Sequence, residues 1–508
     1  MAFAVVCSRA LVGVAAPLVQ VEVHLANGLP QFNLVGLPDT EVRESRERVR
    51  AALVNCGFQF PARRVTVNLA PADLPKQSSR FDLPIALGIL AASGQLTDSA
   101  LHLYEFAGEL ALSGALRTVR GALPMAVAVG KDGRKFVLPS DCAEQGALAR
   151  SAEIFAAGHL MEVCRHLSGE RLLSPLHVEL KTQEEADYPD MAEVRGQLQA
   201  RRALEIAAAG GHHILMAGPP GTGKSMLAAR FPGICPPLDP QEALEVAAIR
   251  SAGEESFSTA QWQRRPFRQP HHAATVAALA GGGPRSAPGE ASLAHGGILH
   301  LDEMAEFSRN ALEALREPLE SGVITVSRAA RKITYPARFQ LVGTMNPCPC
   351  GFYGQPSGSC KCSQQQVDRY RRRISGPLMD RIDLILDVPS LSAWEIRQNR
   401  EGEASAVIRK RVGQAMQRQK ERQQQSNARL PVDALSRHVV LDGPGQDMLF
   451  RAATRFSLSA RAVHRILRVA RTVADLRGDA RVSVADLAEA ISYRGWSCRE
   501  AQPGSLVF

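Results

Sequence analysis

The sequence predicts an α/β protein built from three successive parts. Apolar and polar residues alternate with strand period in several segments before about residue 180. At 213–229 a short apolar run, a glycine-rich loop and a helix-forming run follow one another, which is how an α/β unit with a parallel sheet opens. Strand-like runs disappear after about residue 390, and helical patterns remain. A length of 508 residues fits about three domains.

The first part, 1–180, can be justified element by element. Residues 2–18 (AFAVVCSRALVGVAAPL) are apolar, but Arg9 interrupts them and no basic region precedes them, which argues against a secretion signal. Nowhere does an uninterrupted run reach the roughly 18 apolar residues of a membrane span, so no membrane partner is expected. Residues 19–25 (VQVEVHL) alternate, Asn27-Gly28 signals a turn and QFNLV follows, a pattern that reads as a β-hairpin. Residues 40–56 carry charges on one helical face, with Gly57 as the stop. VTVNLA at 65–70 reads as a strand, and FDLPIALGILAASG at 81–94 as an apolar helix.

Residues 181–192 (KTQEEADYPDMA) are acidic without periodicity and read as a linker. The core follows at 193–390 and the helical part at 391–508, where 407–429 holds seven Lys/Arg against one Glu.

Composition bounds the partners. With 45% hydrophobic and 22% charged residues, disorder and collagen-like repeats are excluded. Sixty Lys+Arg against 51 Asp+Glu leave +9, a modest excess that admits a polyanionic partner. Aromatics are only 5%, which disfavours base-stacking platforms. Without an export signal a cytoplasmic, reducing location is expected, so the ten cysteines call for packing, metal or redox roles. Cys7, Cys56, Cys142, Cys164, Cys235 and Cys498 are scattered and read as packing residues.

AGPPGTGKS at 217–225 fits G-x-x-x-x-G-K-[ST] through Gly218, Gly223, Lys224 and Ser225. The loop Gly218, Pro219, Pro220, Gly221, Thr222, Gly223 would curl its amides round the phosphates of ATP. Lys224 would reach the terminal phosphates and Ser225 would hold Mg²⁺. GILHLDEM at 297–304 supplies the acidic strand end: Asp302 for Mg²⁺ and Glu303 to polarise the attacking water. RFQLVGTMN at 338–346 is a third strand, and Asn346 at its end could orient that water or simply form a turn.

These motifs, with RPFRQPHH (265–272), GGGPRSAPGEASLAHGGILHLDEM (281–304), CPCG (348–351) and SGPLMDRIDL (375–384), resemble the ComM/YifB family. That family is a magnesium-chelatase-related branch of the AAA+ ATPases. The resemblance covers nearly the whole chain, including GLPDTEVRESRERVRAAL (36–53) and FDLPIALGIL (81–90). It implies a Lon-protease-like N-terminal domain, an AAA+ core and a helical lid. It also implies a homo-hexameric, ATP-driven helicase on single-stranded or branched DNA, acting in branch migration during homologous recombination and natural transformation. Arg381 in LMDRID resembles the arginine finger that acts on a neighbour's ATP, and Arg461 in LSARAVHRILRVA resembles sensor 2, with Arg465 one turn on. VITVSRAARKITYPARF (323–339) holds the position of the pre-sensor-1 hairpin, where Arg328, Arg331 and Lys332 could grip DNA or form a solvated tip.

Cys348, Cys350, Cys360 and Cys362 form C-x-C, nine residues, C-x-C, which suits a structural Zn²⁺ or else a reduced or redox-active cluster. RYRRRISG (369–376) adds four arginines that could meet phosphate or acidic faces. The N-terminal loop LPKQSSRFDL (74–83) keeps Ser78 and Ser79 but not the D-G-P-S-A-G protease motif. Two rivals stand beside the DNA motor: a chelatase-type motor that remodels a protein partner, and an ATP-dependent protease.

Overall fold

The computed structural model describes residues 2–36, 40–74, 76, 79–97, 99–178, 188–253, 261–283, 287–328, 331–355, 360–391 and 402–494. Strands β1 (Phe3–Arg9), β2 (Leu18–Ala26), β3 (Gln31–Val35), β4 (Arg64–Ala70) and β5 (Tyr104–Phe106) open the chain. After the small β6 (Glu109–Leu110) and β7 (Leu116–Arg117) come β8 (Lys135–Pro139) and β9 (Ile154–Ala157). Seven of these form one mixed sheet in the order β3-β4-β2-β1-β5-β8-β9. Its helices are α1 (Thr40–Asn55), α2 (Asp82–Ala92), α3 (Ala122–Lys131), α4 (Ser140–Ala147) and α5 (Leu160–Leu167).

The expected hairpin of residues 19–35 does not form. Both strands exist, but β4 lies between them, antiparallel to β2 and parallel to β3. The antiparallel partner of β2 on its other side is β1, in the apolar N-terminal run. Arg9, which breaks that run in sequence, is buried and held by Glu105 at 2.6 Å and by Asp132. A buried cation of this kind needs such partners, because desolvation alone would expel it.

The second sheet is fully parallel, in the order β11-β14-β17-β10-β18. Its strands are β10 (Ile214–Ala217), β11 (Phe267–Arg268), β14 (Ile298–Leu301), β17 (Gln340–Met345) and β18 (Leu384–Asp387). The short β12 (Gly281–Gly282) pairs with β13 (Ala287–Pro288), and β15 (Val323–Arg328) with β16 (Arg331–Pro336). Every residue of β10 is buried, as a strand covered by helices on both faces must be. Around it lie α6 (Leu198–Gly210), α7 (Lys224–Ile234), α8 (Pro240–Ala252), α9 (Val276–Ala280), α10 (Glu290–Leu293), α11 (Arg309–Glu313), α12 (Arg316–Ser321), α13 (Gln364–Arg371) and α14 (Gly376–Met379).

Five further helices close the described chain: α15 (Ser405–Gln423), α16 (Val432–His438), α17 (Gly443–Arg455), α18 (Ala460–Arg477) and α19 (Val484–Ser492). A buried polar knot ties α15 to α18. Arg422 donates to both Asp475 oxygens at 2.7 and 2.8 Å, and Asn427 donates to Asp475 at 2.8 Å.

The two sheets are joined by side chains as well as by sequence. Leu123 and Ala126 of α3 share one apolar cluster with Ala243, Val246 and Ala247 of α8, together with Leu238 and Trp262. The Gly121 amide donates to the Ser251 carbonyl at 2.7 Å. Of the expected linker, 181–187 lies outside the described residues. The rest is folded: Met191 is fully buried and Asp190 accepts from the Ser405 amide at 2.9 Å. In the first part Ser79 donates to Glu109 and Lys76 to the Pro71 carbonyl, and neither bond pairs a serine with a lysine. Ser78 and Cys498 lie outside the described residues. None of the described helices is long and apolar enough to cross a membrane.

Candidate nucleotide-binding site

Parallel pairing sets Ala217 opposite Met345 and Asp387, so three strands end together at one edge of the sheet. Ligands of such sheets bind beyond the carboxyl ends of the strands. The phosphate-binding loop leaves β10 here. A Cβ on Gly218 would lie 2.2 Å from the Val388 carbonyl oxygen, so only glycine fits. Gly223 takes φ +86 and starts α7, whose N-terminus presents amide dipoles to the loop.

Lys224 is 9% exposed and donates to the carbonyls of Gly218 at 2.7 Å and Pro219 at 2.8 Å, and to Asn346 Oδ1 at 3.5 Å. Burial pulls its ammonium below the usual range, against the pull of Asp302 and Glu303. A desolvated cation on neutral acceptors gains strongly from an anion. Gln197, which caps α6 in a left-handed conformation at φ 49, ties the loop down by donating to the carbonyls of Thr222 and Pro389.

Ser225 donates to both Asp302 oxygens at 3.0 Å. Burial alone would raise the Asp302 carboxyl, but Thr344, His300, Ser225 and the Glu303 amide outweigh it and hold it low. The Thr344 hydroxyl also accepts from the Glu303 backbone amide at 3.2 Å, so one side chain orients the Asp302 carboxylate and pins the backbone of Glu303. Glu303 sits in the left-handed region at φ 52, with His272 Nδ1 4.0 Å from its carboxylate. A hydroxyl and a carboxylate side by side are hard oxygen donors that fit Mg²⁺.

Arg381 and Arg461 are not part of this cluster in the chain. Arg381 donates to the Pro377 carbonyl at 2.7 Å and pairs with Glu320 of α12. Arg381 first, with Arg461 and Arg465 behind it, holds the Glu320 carboxyl below its usual range. Arg465 donates to the Arg381 carbonyl at 3.0 Å and to Asp383 at 2.6 Å. The expected finger and the expected sensor therefore belong to one arginine cluster, remote in bonding from Lys224.

The four cysteines converge. Their sulfurs all lie within 4.8 Å of one another, with Cys348 to Cys350 at 3.3 Å and Cys348 to Cys360 at 3.8 Å. The Phe352 amide and the Cys348 side chain pull the Cys350 thiol down to about 6. In the β15–β16 hairpin Arg328 pairs with Arg331, Lys332 is exposed, and 329–330 lie outside the described residues. A Cβ on Gly13 of the first part would meet Ile333 of this hairpin at 2.8 Å.

Residues 190–396 match the family described as magnesium chelatase, subunit ChlI; 21–142 match subunit ChlI of Mg-chelatase, and 402–494 its C-terminal part. The chain is 48% identical to the YifB protein of Salmonella typhimurium over 97% of both chains. It belongs to the ComM/YifB family of magnesium-chelatase-like proteins. Its likeness to the competence protein ComM of Haemophilus influenzae is 46% over 97% of this chain and 98% of that one. A magnesium-chelatase 67 kDa subunit of Heliobacterium mobile is 26% identical over 32% of the chain. The fold is accordingly that of a magnesium-chelatase-like AAA+ protein, mixed α/β with a parallel sheet and a helical C-terminal region.

In this ComM/YifB chain, sequence reasoning missed Thr344, Gln197 and Glu320. Thr344 had a signal, since it precedes Asn346 by two and so shares its strand face. Gln197 and Glu320 had none, because their partners are distant in sequence.

Proposed function

We propose that this protein is an ATP-hydrolysing homo-hexameric DNA motor that drives branch migration during homologous recombination in natural transformation. The observation that carries the reading is the convergence of Lys224, Ser225, Asp302 and Asn346 at one strand edge, in a chain with full-length likeness to a competence protein. Lys224 and the loop amides hold the ATP phosphates. Ser225 and Asp302 hold Mg²⁺, which neutralises charge on those phosphates. Glu303 and Asn346 orient the attacking water.

Arg381 acts across a subunit boundary, and Arg461 reads the nucleotide state. Their shared neighbourhood around Glu320 supports a coupling between the two roles. When Arg381 turns to the neighbour's phosphate it leaves Glu320, an exposed carboxylate that costs little to uncover. Arg328, Arg331 and Lys332 grip the DNA backbone, and the motor works in the cytoplasm.

The test is strand movement on a labelled three- or four-strand junction, with ATPase measured against single-stranded, duplex and branched DNA. Stimulation by branched or single-stranded DNA and loss of movement in Lys224→Ala are expected. ATP-dependent movement that survives Lys224→Ala sinks the mechanism. The partial likeness to a magnesium-chelatase subunit favours a second reading, a motor that remodels a protein partner. ATPase indifferent to every DNA would select it.

A further inference from the structure

We propose that Cys348, Cys350, Cys360 and Cys362 bind one Zn²⁺ as a tetrathiolate, and that this ion braces the phosphate-binding loop. Zn–S bonds of about 2.3 Å in a tetrahedron set sulfurs about 3.8 Å apart. The observed separations of 3.3, 3.6 and 3.8 Å lie close to that edge. They are far longer than a disulfide of about 2.05 Å. Four sulfurs with no carboxylate or imidazole among them select a thiophilic ion and leave no open position for catalysis.

The place of the cluster gives the ion its role. Cys348 is fully buried and stands two residues beyond Asn346, which meets Lys224. The Gly351 amide donates to the Cys348 carbonyl at 3.0 Å and closes a tight turn. Gly351 has φ +86, and a Cβ there would lie 2.7 Å from Pro220 Cδ, so the turn rests on the phosphate-binding loop. The other pair leads into α13. Cys362 is followed by Ser363, which caps α13 in a capping box. Arg371 at the end of that helix donates to the Pro347 carbonyl at 3.3 Å and stacks on Tyr353 at 5.1 Å. An ion at the four sulfurs therefore cross-links the end of β17 to the start of α13 across the loop between them. Without it the turn at 348–351 is left with the Arg371–Pro347 bond as its tie to α13, and Pro220 and Asn346 lose a firmly fixed neighbour.

The metal site stands by itself, whereas the brace rests on the reading of Lys224 and its loop as a nucleotide site. The full-length protein is purified from zinc-supplemented cells, and zinc and iron are counted by mass spectrometry. Binding of a fluorescent ATP analogue with Mg²⁺ is titrated in parallel. The wild type should carry about one zinc per chain, and Cys360→Ser/Cys362→Ser should lose it together with several-fold in nucleotide affinity. Gly351→Ala keeps all four thiols, so it should retain zinc while weakening nucleotide binding. Lys224→Ala should keep zinc and lose the nucleotide, which separates failure of the brace from failure of the nucleotide reading. Iron in place of zinc, or zinc retained by the double serine variant, overturns the site. Unchanged nucleotide affinity in both the double serine variant and Gly351→Ala overturns the brace.

Discussion

Thr344 donates to Asp302 and accepts from the Glu303 backbone amide, so a single hydroxyl directs one acid and holds the backbone that carries the next. Groups that orient metal-binding carboxylates are worth roughly 10–100-fold in activity when removed. Thr344→Val keeps the strand and the volume. It should lower the ATPase rate by that order while leaving nucleotide affinity near wild type, as steady-state kinetics beside a binding titration would show. A fall in affinity with no fall in turnover would contradict this role. The glycines of the loop were legible because their chemistry is local: Gly218 faces the Val388 carbonyl, and any side chain would collide with it. Thr344 and Gln197 act only through partners that the fold brings from afar, and a motif cannot display those.

Pairing of elements separates the legible from the illegible more sharply. Alternation gave β2, β3 and β4, and Asn27-Gly28 correctly marked a break between β2 and β3. The break was misread as a hairpin because a turn signal reports local chain direction, whereas the partner of a strand is set by which faces bury together. Here β4 takes the place beside β2. At the other sheet His213 joins elements in a way that titrates. Its Nδ1 accepts from the Leu341 amide at 3.1 Å, and burial pushes its pKa down to about 4. A histidine depressed in the folded state binds more protons when unfolded. Its contribution is therefore complete above about pH 6.5 and drains as pH falls towards 4. Between pH 7 and 5 the wild type should lose on the order of 1–2 kcal/mol from this group. His213→Asn should show a shallower slope in urea melts across that range, and an unchanged slope would refute the assignment.

On the scale of the whole molecule, if Arg381 acts on a neighbour's nucleotide as proposed, activity becomes a property of neighbours. Lys224→Ala and Arg381→Ala are each expected to be inactive alone. Mixed before assembly, they should recover part of the ATPase rate, because some boundaries then join an intact loop to an intact finger. A mixture as dead as its components would place Arg381 outside the neighbour's site. The α3–α8 cluster adds a second whole-molecule expectation. Val246→Asp buries a charge in that cluster and should cost several kcal/mol, lowering the thermal midpoint of the chain. That cluster also turns the relation between the two sheets from tethering into recognition. If residues 1–178 and 188–508 are expressed as separate chains in one cell, the apolar contact and the Gly121–Ser251 bond should suffice to reunite them. The halves should then elute as one species, and Val246→Asp should part them.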